Sequence, residues 1–216
     1  MVSVSRHRNK IKLGHLKGNR FTILLAETPP GRLRDAAEVL ACLSQGGLPN
    51  RFGPQRFGRG GLNPALGRLL LAGDAQGFVD LLLGARRPGE SAPAAEARAR
   101  YRAGDLQGAL AGLPRSEETR ILERLAAGAS PERALAAAAR RYLSLLVNAL
   151  QAEAFNRVLE LRMAMQQPWE VQAGDVAWLH RNGACFLVEN PVAEAPRAAA
   201  FEISPTGPLP GPAMLR

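Results

Sequence analysis

Apolar and polar residues alternate in two short stretches near the start of the chain. Lysine and aliphatic residues alternate over residues 10–13, which is typical of a strand with one basic face. Apolar residues occupy every second position again over residues 21–25. A Lys-Gly-Asn turn signal at residues 17–19 separates the two stretches. The pattern therefore predicts two strands before residue 26.

Apolar residues at helical spacing follow, and they predict that most of the remaining chain is helical. A first helix begins near Leu33 and ends at the two glycines 46–47. A glycine-rich loop then covers residues 48–64, ahead of a short apolar run around Leu69–Leu71. From Gly73 onward Ala, Leu, Arg and Glu dominate, and further short helices are predicted at 75–84, 93–103, 105–112 and 116–127.

The last part of the chain is expected to contain one long helix and a hairpin. A serine cap and a proline at residues 130–131 open the helix, and Pro168 ends it. Its predicted apolar face consists of Leu135, Ala139, Tyr142, Leu146, Leu150, Ala154, Val158 and Leu161. The Asn-Gly pair at 182–183 predicts the turn of a β-hairpin. Residues 190–216 hold six prolines and are expected to be extended or loop-like.

The positive charge is confined to the first third of the chain. Residues 1–68 contain 12 Lys and Arg against 3 Asp and Glu, a net charge of +9, whereas residues 69–216 contain 16 of each. This asymmetry favours a polyanion, and nucleic acid first, over a basic surface without a partner. The first residues expected to contact RNA are Arg6, Arg8, Lys10, Lys12, Lys17, Asn19 and Arg20. The alternative for this cluster is a solvated edge strand whose lysines deter aggregation.

Several classes of protein lack support in the sequence. The N-terminus has no apolar stretch of a signal peptide, and no apolar run approaches the ~18 residues of a membrane span. The cysteines Cys42 and Cys185 form no CxxC pair, which favours a reducing cytoplasm. The motifs HExxH, GxxxxGK[ST] and GxSxG are absent, and the three histidines lack metal-ligand spacing. We therefore expect no metal, no small-molecule cofactor and no membrane partner.

The tripeptide Arg-Phe-Gly occurs twice in the glycine-rich loop, within "LPNRFGPQRFGRGG", residues 48–61. Aromatic faces stack on unpaired bases, arginines bind phosphates, and Asn or Gln can read a base edge. The residues that fit these roles are Asn50, Arg51, Phe52, Gln55, Arg56, Phe57 and Arg59. The alternative is that the phenylalanines anchor the loop in the core while the arginines are exposed, which we expect for at least one of them.

Two blocks resemble the TruD type of tRNA pseudouridine synthases. One is Asn-x-Phe-Gly-x-Gln-Arg-Phe-Gly at residues 50–58, and the other is Leu-Lys-Gly-Asn at residues 16–19. Residues 141–162, 174–179 and 202–214 are similar to the insertion domain of that family. The resemblance implies an α+β fold, with part of the catalytic domain over residues 1–73 and part of a mostly helical insertion domain with a β-hairpin over residues 74–216.

The resemblance also implies a function, the isomerisation of a uridine in tRNA to pseudouridine without metal or organic cofactor. Phe52 matches the aromatic residue that stacks on the extruded uracil in this family. Asn50 matches an active-site polar residue, while Gln55, Arg56 and Phe57 complete the signature. Extrusion of the base costs a few kcal/mol, which stacking partly offsets. The implied partner is tRNA, the implied location is the cytoplasm, and the oligomeric state stays open.

One departure from the family concerns catalysis. The family's nucleophilic aspartate lies in a Gly-x-Lys-Asp stretch, and that stretch occurs nowhere in this sequence. We therefore expect the chain to be part of a longer enzyme and to be inactive alone. The alternative is a non-catalytic RNA-binding protein derived from the family. A basic domain with no RNA role would require both signature blocks to be coincidental.

Overall fold

A computed structural model describes residues 20–24, 26–29, 31–165 and 169–211. The chain divides into two compact units, residues 1–48 and residues 49–216, which are described separately. This division differs from the proposed domain boundary at residue 73, which stays a prediction about the family's domains.

The first unit contains one helix among its described residues, α1 (Arg32–Gly46). Gly47 closes α1, and its N–H donates to the carbonyl of Leu43, so the predicted helix and its glycine stop are confirmed. The strand predicted at 21–25 is wrong for residues 21–24, which are exposed and have no paired strand among the described residues. The strand predicted at 10–13 and the turn at 17–19 lie outside the described residues.

The second unit contains a series of helices between residues 54 and 164. They are α2 (Pro54–Phe57), α3 (Leu62–Ala72), α4 (Ala75–Gly84), α5 (Ala92–Arg102), α6 (Leu106–Leu110), α7 (Glu117–Ala126), α8 (Pro131–Ala136) and α9 (Arg140–Ala164), with a 3-10 turn at Arg59–Gly61. Side chains cap several of them, and the predicted cap at Ser130 is confirmed, because its Oγ accepts the Arg133 N–H at 3.4 Å at the start of α8. Asp74 accepts the Gly77 N–H at the start of α4, and Asp105 accepts the Gly108 N–H at the start of α6.

The core of these helices forms around α4. Phe78, Leu82 and Leu83 of this helix are fully buried. They share one apolar cluster with side chains of α3, α7, α8 and α9, among them Leu66, Ile121, Leu122, Leu135 and Leu146. Burial of apolar surface at about 25 cal/mol per Å² is the main force that assembles them.

The long helix predicted from residue 130 to residue 167 is wrong in its middle. It breaks between α8 and α9, where Ala139 adopts an extended conformation. The N–H of Ala139 donates to Oε2 of Glu117 at 3.1 Å. A carboxylate at the start of α7 therefore caps the beginning of α9, a tertiary contact that periodicity cannot reveal.

A small antiparallel sheet follows in the order β2-β1-β3. Its strands are β1 (Val176–Leu179), β2 (Cys185–Leu187) and β3 (Ile203–Pro205), with Ala177 opposite Phe186 on one side and Pro205 on the other. The predicted hairpin is confirmed, and Gly183 in its turn has a φ of 76°.

The expectation that residues 190–216 are extended or loop-like is wrong for one stretch, residues 191–199. Helix α10 (Pro191–Ala199) begins there because Asn190 accepts the Ala193 N–H and proline occupies the first helical position. Strand β3 follows α10 and completes the sheet.

Together the helices and the sheet confirm an α+β fold. Within the described ranges, no helix combines the length and apolar character that crossing a membrane requires.

Candidate functional site

The signature loop, residues 50–58, lies against helix α9. The N–H of Phe52 donates to Oδ1 of Asn156 at 3.0 Å, and Nδ2 of Asn156 donates to the carbonyl of Phe52 at 2.9 Å. Asn156 is only 5% exposed. Because Phe52 lies outside regular secondary structure, one amide side chain satisfies both of its main-chain polar groups.

The ring of Phe52 has two neighbours. Phe155 packs against it in an edge-to-face arrangement, with the ring centroids 5.3 Å apart and the planes at 81°. The guanidinium carbon of Arg56 lies 5.3 Å from the Phe52 centroid, a cation–π contact. Phe155 also contacts Gly207, where a Cβ would overlap the Phe155 ring. The half-buried ring of Phe52 is thus held at a defined place on α9.

The second half of the signature loop forms the short helix α2 and ends at Gly58. Gly58 has a φ of 75°, and a Cβ at this position would lie 2.6 Å from Oδ1 of Asn63. Nδ2 of Asn63 donates to the carbonyl of Arg56 at 3.3 Å. The positive φ of Gly58 favours glycine, and a Cβ there would displace the Asn63 side chain from its bond to Arg56.

Acidic residues of α9 face arginines of the signature loop and α3. Arg51 forms an ion pair with Glu160 at 2.6 Å, and Arg68 forms one with Glu153 at 2.9 Å. A cleft of about 300 Å³ opens here, lined by Arg51, Phe57, Gly61, Pro64, Glu153, Asn156, Arg157 and Glu160. Both pairs are partly exposed, so they stabilise the loop weakly and an incoming phosphate can compete for the arginines.

Other residues predicted for the site are distributed as follows. Asn50, Gln55 and Arg59 are exposed, and their side chains have no hydrogen-bond or ion-pair partner in the part of the chain that the structure describes. Arg20 is exposed in the first unit. Arg6, Arg8, Lys10, Lys12, Lys17 and Asn19 lie outside the described residues. The roles assigned to all of these residues stay predictions.

Sequence reasoning missed the residues of α9 that hold the signature loop. The buried residues of α9 are Leu146, Ala149, Ala152 and Asn156, whereas Leu161 of the predicted apolar face is half exposed. Helix α3 approaches α9 closely at Gly67, where a Cβ would overlap the carbonyl oxygen of Leu146. The available signal was a polar Asn next to a Phe inside an otherwise regular helix.

The chain matches over residues 1–215 the family model described as tRNA pseudouridine synthase D (TruD). The chain belongs to the TruD family. Among the described residues, His, Cys, Asp and Glu form no group of three or more that could hold a metal ion.

Curated relatives of this TruD chain carry the name tRNA pseudouridine synthase D. The protein of Geobacter sulfurreducens is 49% identical over 216 residues, which cover 97% of this chain and 52% of the relative. That of Geobacter metallireducens is 44% identical, over all of this chain and 54% of the relative. The chain therefore spans about half the length of the curated relatives it matches.

A solved structure supports the fold of this TruD chain. It is a tRNA pseudouridine synthase D (TruD) from Methanosarcina mazei, with a TM-score of 0.70 and 22% identity. The match covers 82% of this chain and 45% of that chain. At this identity the likeness shows a shared fold.

Proposed function

We propose that this chain is the part of a cytoplasmic tRNA pseudouridine synthase that binds tRNA and presents a uridine for isomerisation. The observation that carries the proposal is the placement of Phe52, whose main chain is held by Asn156 and whose ring contacts Arg56. A half-buried, fixed ring with a neighbouring cation is suited to stack on an unpaired base and to contact its phosphate.

The proposed reaction breaks the glycosidic bond of the uridine, rotates the uracil and rejoins it to the ribose through carbon. Stacking on Phe52 offsets part of the few kcal/mol that base extrusion costs. Arg51, Arg56 and Arg59 neutralise the phosphates around the extruded nucleotide. The nucleophilic aspartate of the family belongs to a Gly-x-Lys-Asp stretch that this sequence does not contain. Residues 1–216 alone are therefore expected to bind tRNA without isomerising it.

The test replaces Phe52 by leucine and measures binding of unfractionated tRNA at low salt. Stacking on an aromatic residue contributes about 1–3 kcal/mol per base, so the dissociation constant should rise roughly 5- to 150-fold. Phe186→Leu is the matched control, because Phe186 is also half-buried and lies under an arginine, with Arg197 5.4 Å from its centroid. This control should leave tRNA binding close to that of the unchanged chain.

The outcomes separate the proposal from its alternatives. Equal losses of affinity in Phe52→Leu and Phe186→Leu would contradict a special role of Phe52, and a chain that binds no tRNA at low salt would contradict the function. A thermal melt of each variant shows whether unfolding precedes the loss of binding. Turnover of tRNA by the purified 216-residue chain would contradict the predicted inactivity.

A non-catalytic RNA-binding protein is a second candidate, favoured by the missing Gly-x-Lys-Asp stretch. Reading the codons upstream of Met1 distinguishes the two. An in-frame Gly-x-Lys-Asp favours the enzyme, and a start codon with no such stretch before it favours the binding protein.

A further inference from the structure

We propose that Asn156 is a positioning residue for the signature loop. Asn156 itself does not contact tRNA and affects its binding only through Phe52. The inference rests on the proposed function, in which Phe52 stacks on the target base. The middle of α9 then fixes the Phe52 ring before RNA binds. Such pre-organisation lowers the cost of binding because the loop does not have to be ordered by the ligand.

The hydrogen bonds of Asn156 all serve the loop. Among the described residues, its side chain bonds only to the N–H and the carbonyl of Phe52, at 3.0 and 2.9 Å. Asparagine is a weaker helix former than alanine, and a buried amide without partners destabilises a fold. A polar side chain that is 5% exposed in the middle of a 25-residue helix therefore has one evident use, which is to hold Phe52.

The preceding residue of α9 fixes the ring of Phe52 rather than its main chain. Phe155 meets that ring edge to face at 5.3 Å. Phe155 is itself confined by Gly207, which directly follows Thr206. Thr206 donates through its N–H and its hydroxyl to the carbonyl of Val176 in β1. The position of the ring is thus linked through Phe155 to the sheet.

The signature loop cannot hold this geometry with its own residues. Gly53 precedes α2 without a side-chain cap, and a Cβ there would meet no atom within 4 Å. The ion pair of Arg51 with Glu160 is more than half exposed on the arginine side, so it is weak and screened by salt. The paired bonds from buried Asn156 are the strongest polar restraint on Phe52 in the described part of the chain.

The experiment uses the 216-residue chain with Asn156→Ala, Phe52→Ala and the double variant. Asn148→Ala is the matched control, since Asn148 is an exposed asparagine on the same helix. Amide hydrogen exchange of Phe52 is compared with that of Leu82, a core residue of α4. In Asn156→Ala we expect the Phe52 amide to exchange about tenfold faster or more relative to Leu82, because its acceptor is lost. Asn148→Ala should change neither amide.

Affinity for unfractionated tRNA supplies the second measurement. Asn156→Ala should weaken binding about tenfold in the unchanged background and less than twofold in the Phe52→Ala background. A residue that acts through Phe52 gives such a non-additive cycle, whereas general destabilisation gives equal factors in both backgrounds. Equal factors, or a Phe52 amide that accelerates no more than Leu82, would overturn the inference.

A second variant covers the case in which Asn156→Ala does not fold. Asn156→Asp has nearly the same shape and keeps the acceptor for the Phe52 N–H, but it replaces the donor to the Phe52 carbonyl by a carboxylate oxygen, whose negative charge repels that carbonyl. We expect its Phe52 amide to stay protected and its tRNA affinity to fall at least threefold. An affinity equal to that of the unchanged chain would overturn the inference. If the unchanged chain binds no tRNA either, the proposed function fails, and the exchange of the Phe52 amide still decides whether Asn156 holds the loop.

Discussion

Replacing Arg98 by methionine should destabilise the helical core more than any surface substitution on α5. Arg98 is 3% exposed. Its Nε donates to Glu90 at 2.8 Å and its Nη2 to Glu118 at 3.1 Å. Its Nη1 donates to the carbonyls of Leu82 and Leu83 at 2.9 and 3.3 Å, near the end of α4. The substitution therefore removes one hydrogen-bond partner each from two acids and from two carbonyls near the end of α4, although Arg87 still donates to Glu118 and to the carbonyl of Leu82.

The loss of folding free energy in Arg98→Met depends on which charged group is left without a partner. Glu118 retains Arg87 at 2.5 Å, whereas Glu90 loses its ion-pair partner Arg98 in a site where its own side chain is 7% exposed. Removing one partner of a buried ion pair costs about 3–5 kcal/mol, which is a large share of the ~5–15 kcal/mol that stabilises a domain. At roughly 2–4 °C per kcal/mol for a unit of this size, Tm should fall by about 6–20 °C.

Urea denaturation and calorimetry of the 216-residue chain measure this loss. Arg100→Met is the control, because Arg100 lies on the same helix but is exposed and pairs with Glu96 on the surface. Adding Glu90→Leu to Arg98→Met should recover part of the stability, since it removes the unpaired carboxylate. A double variant that is less stable than Arg98→Met alone would refute the assignment of the cost to Glu90.

The same contact should make the effect depend on pH. Burial raises the pKa of Glu90, but the hydrogen bond and charge of Arg98, with a backbone bond and charge from Arg87, outweigh it and hold the pKa below its ordinary value. A depressed pKa stabilises the fold above the unfolded pKa of about 4.3, and this stability is lost as pH falls through the folded pKa. The difference between the unchanged chain and Arg98→Met should therefore shrink from pH 7 to pH 3. A difference independent of pH would refute the reasoning.

Three further predictions follow from other contacts. Gly67→Ala should cost about 1–3 kcal/mol in urea denaturation, because its Cβ would overlap the carbonyl of Leu146 and separate α3 from α9. Arg59→Ala should weaken tRNA binding and lower the slope of log K against log salt by about one, as expected for one lost phosphate contact. Asp175→Asn should speed hydrogen exchange in β1 and cost roughly 2 kcal/mol, because Asp175 accepts two bonds from Arg162, at 2.9 and 3.1 Å.

Controls for these predictions are available in the same chain. Gly53→Ala should leave stability nearly unchanged, because a Cβ there meets nothing within 4 Å and the φ of −77° suits alanine. Arg124→Ala on α7 removes an exposed arginine far along the sequence from the signature loop, so it should leave the salt slope unchanged. A Gly67→Ala variant as stable as Gly53→Ala would contradict the close contact of α3 with α9.

The helices whose ends are encoded locally were predictable from the sequence. The expected helix 75–84 is α4 (Ala75–Gly84), because Asp74 and Gly77 carry the cap within four residues of each other. The hairpin was predictable for the same reason, since its turn depends on the positive φ of Gly183 and on Oδ1 of Asn182, which accepts the Ala184 N–H. The break before α9 was not predictable, because the group that caps it is Glu117 of another helix.

The signature loop could be recognised from its residues, but its conformation could not. The acceptor and donor that fix Phe52 come from a residue 104 positions later in the chain. Periodicity correctly placed Leu146 on the buried face of α9, but it also placed there Leu161, which is half exposed, and it missed Ala149, Ala152 and Asn156. The signature loop and α9 lie in the same compact unit, residues 49–216. Because two neutral hydrogen bonds contribute only about 1–3 kcal/mol together, small changes in how α9 packs on α3 can reposition Phe52 without unfolding the chain. Variants of α9 and α3 should therefore affect RNA binding more strongly than their distance in sequence from the loop suggests.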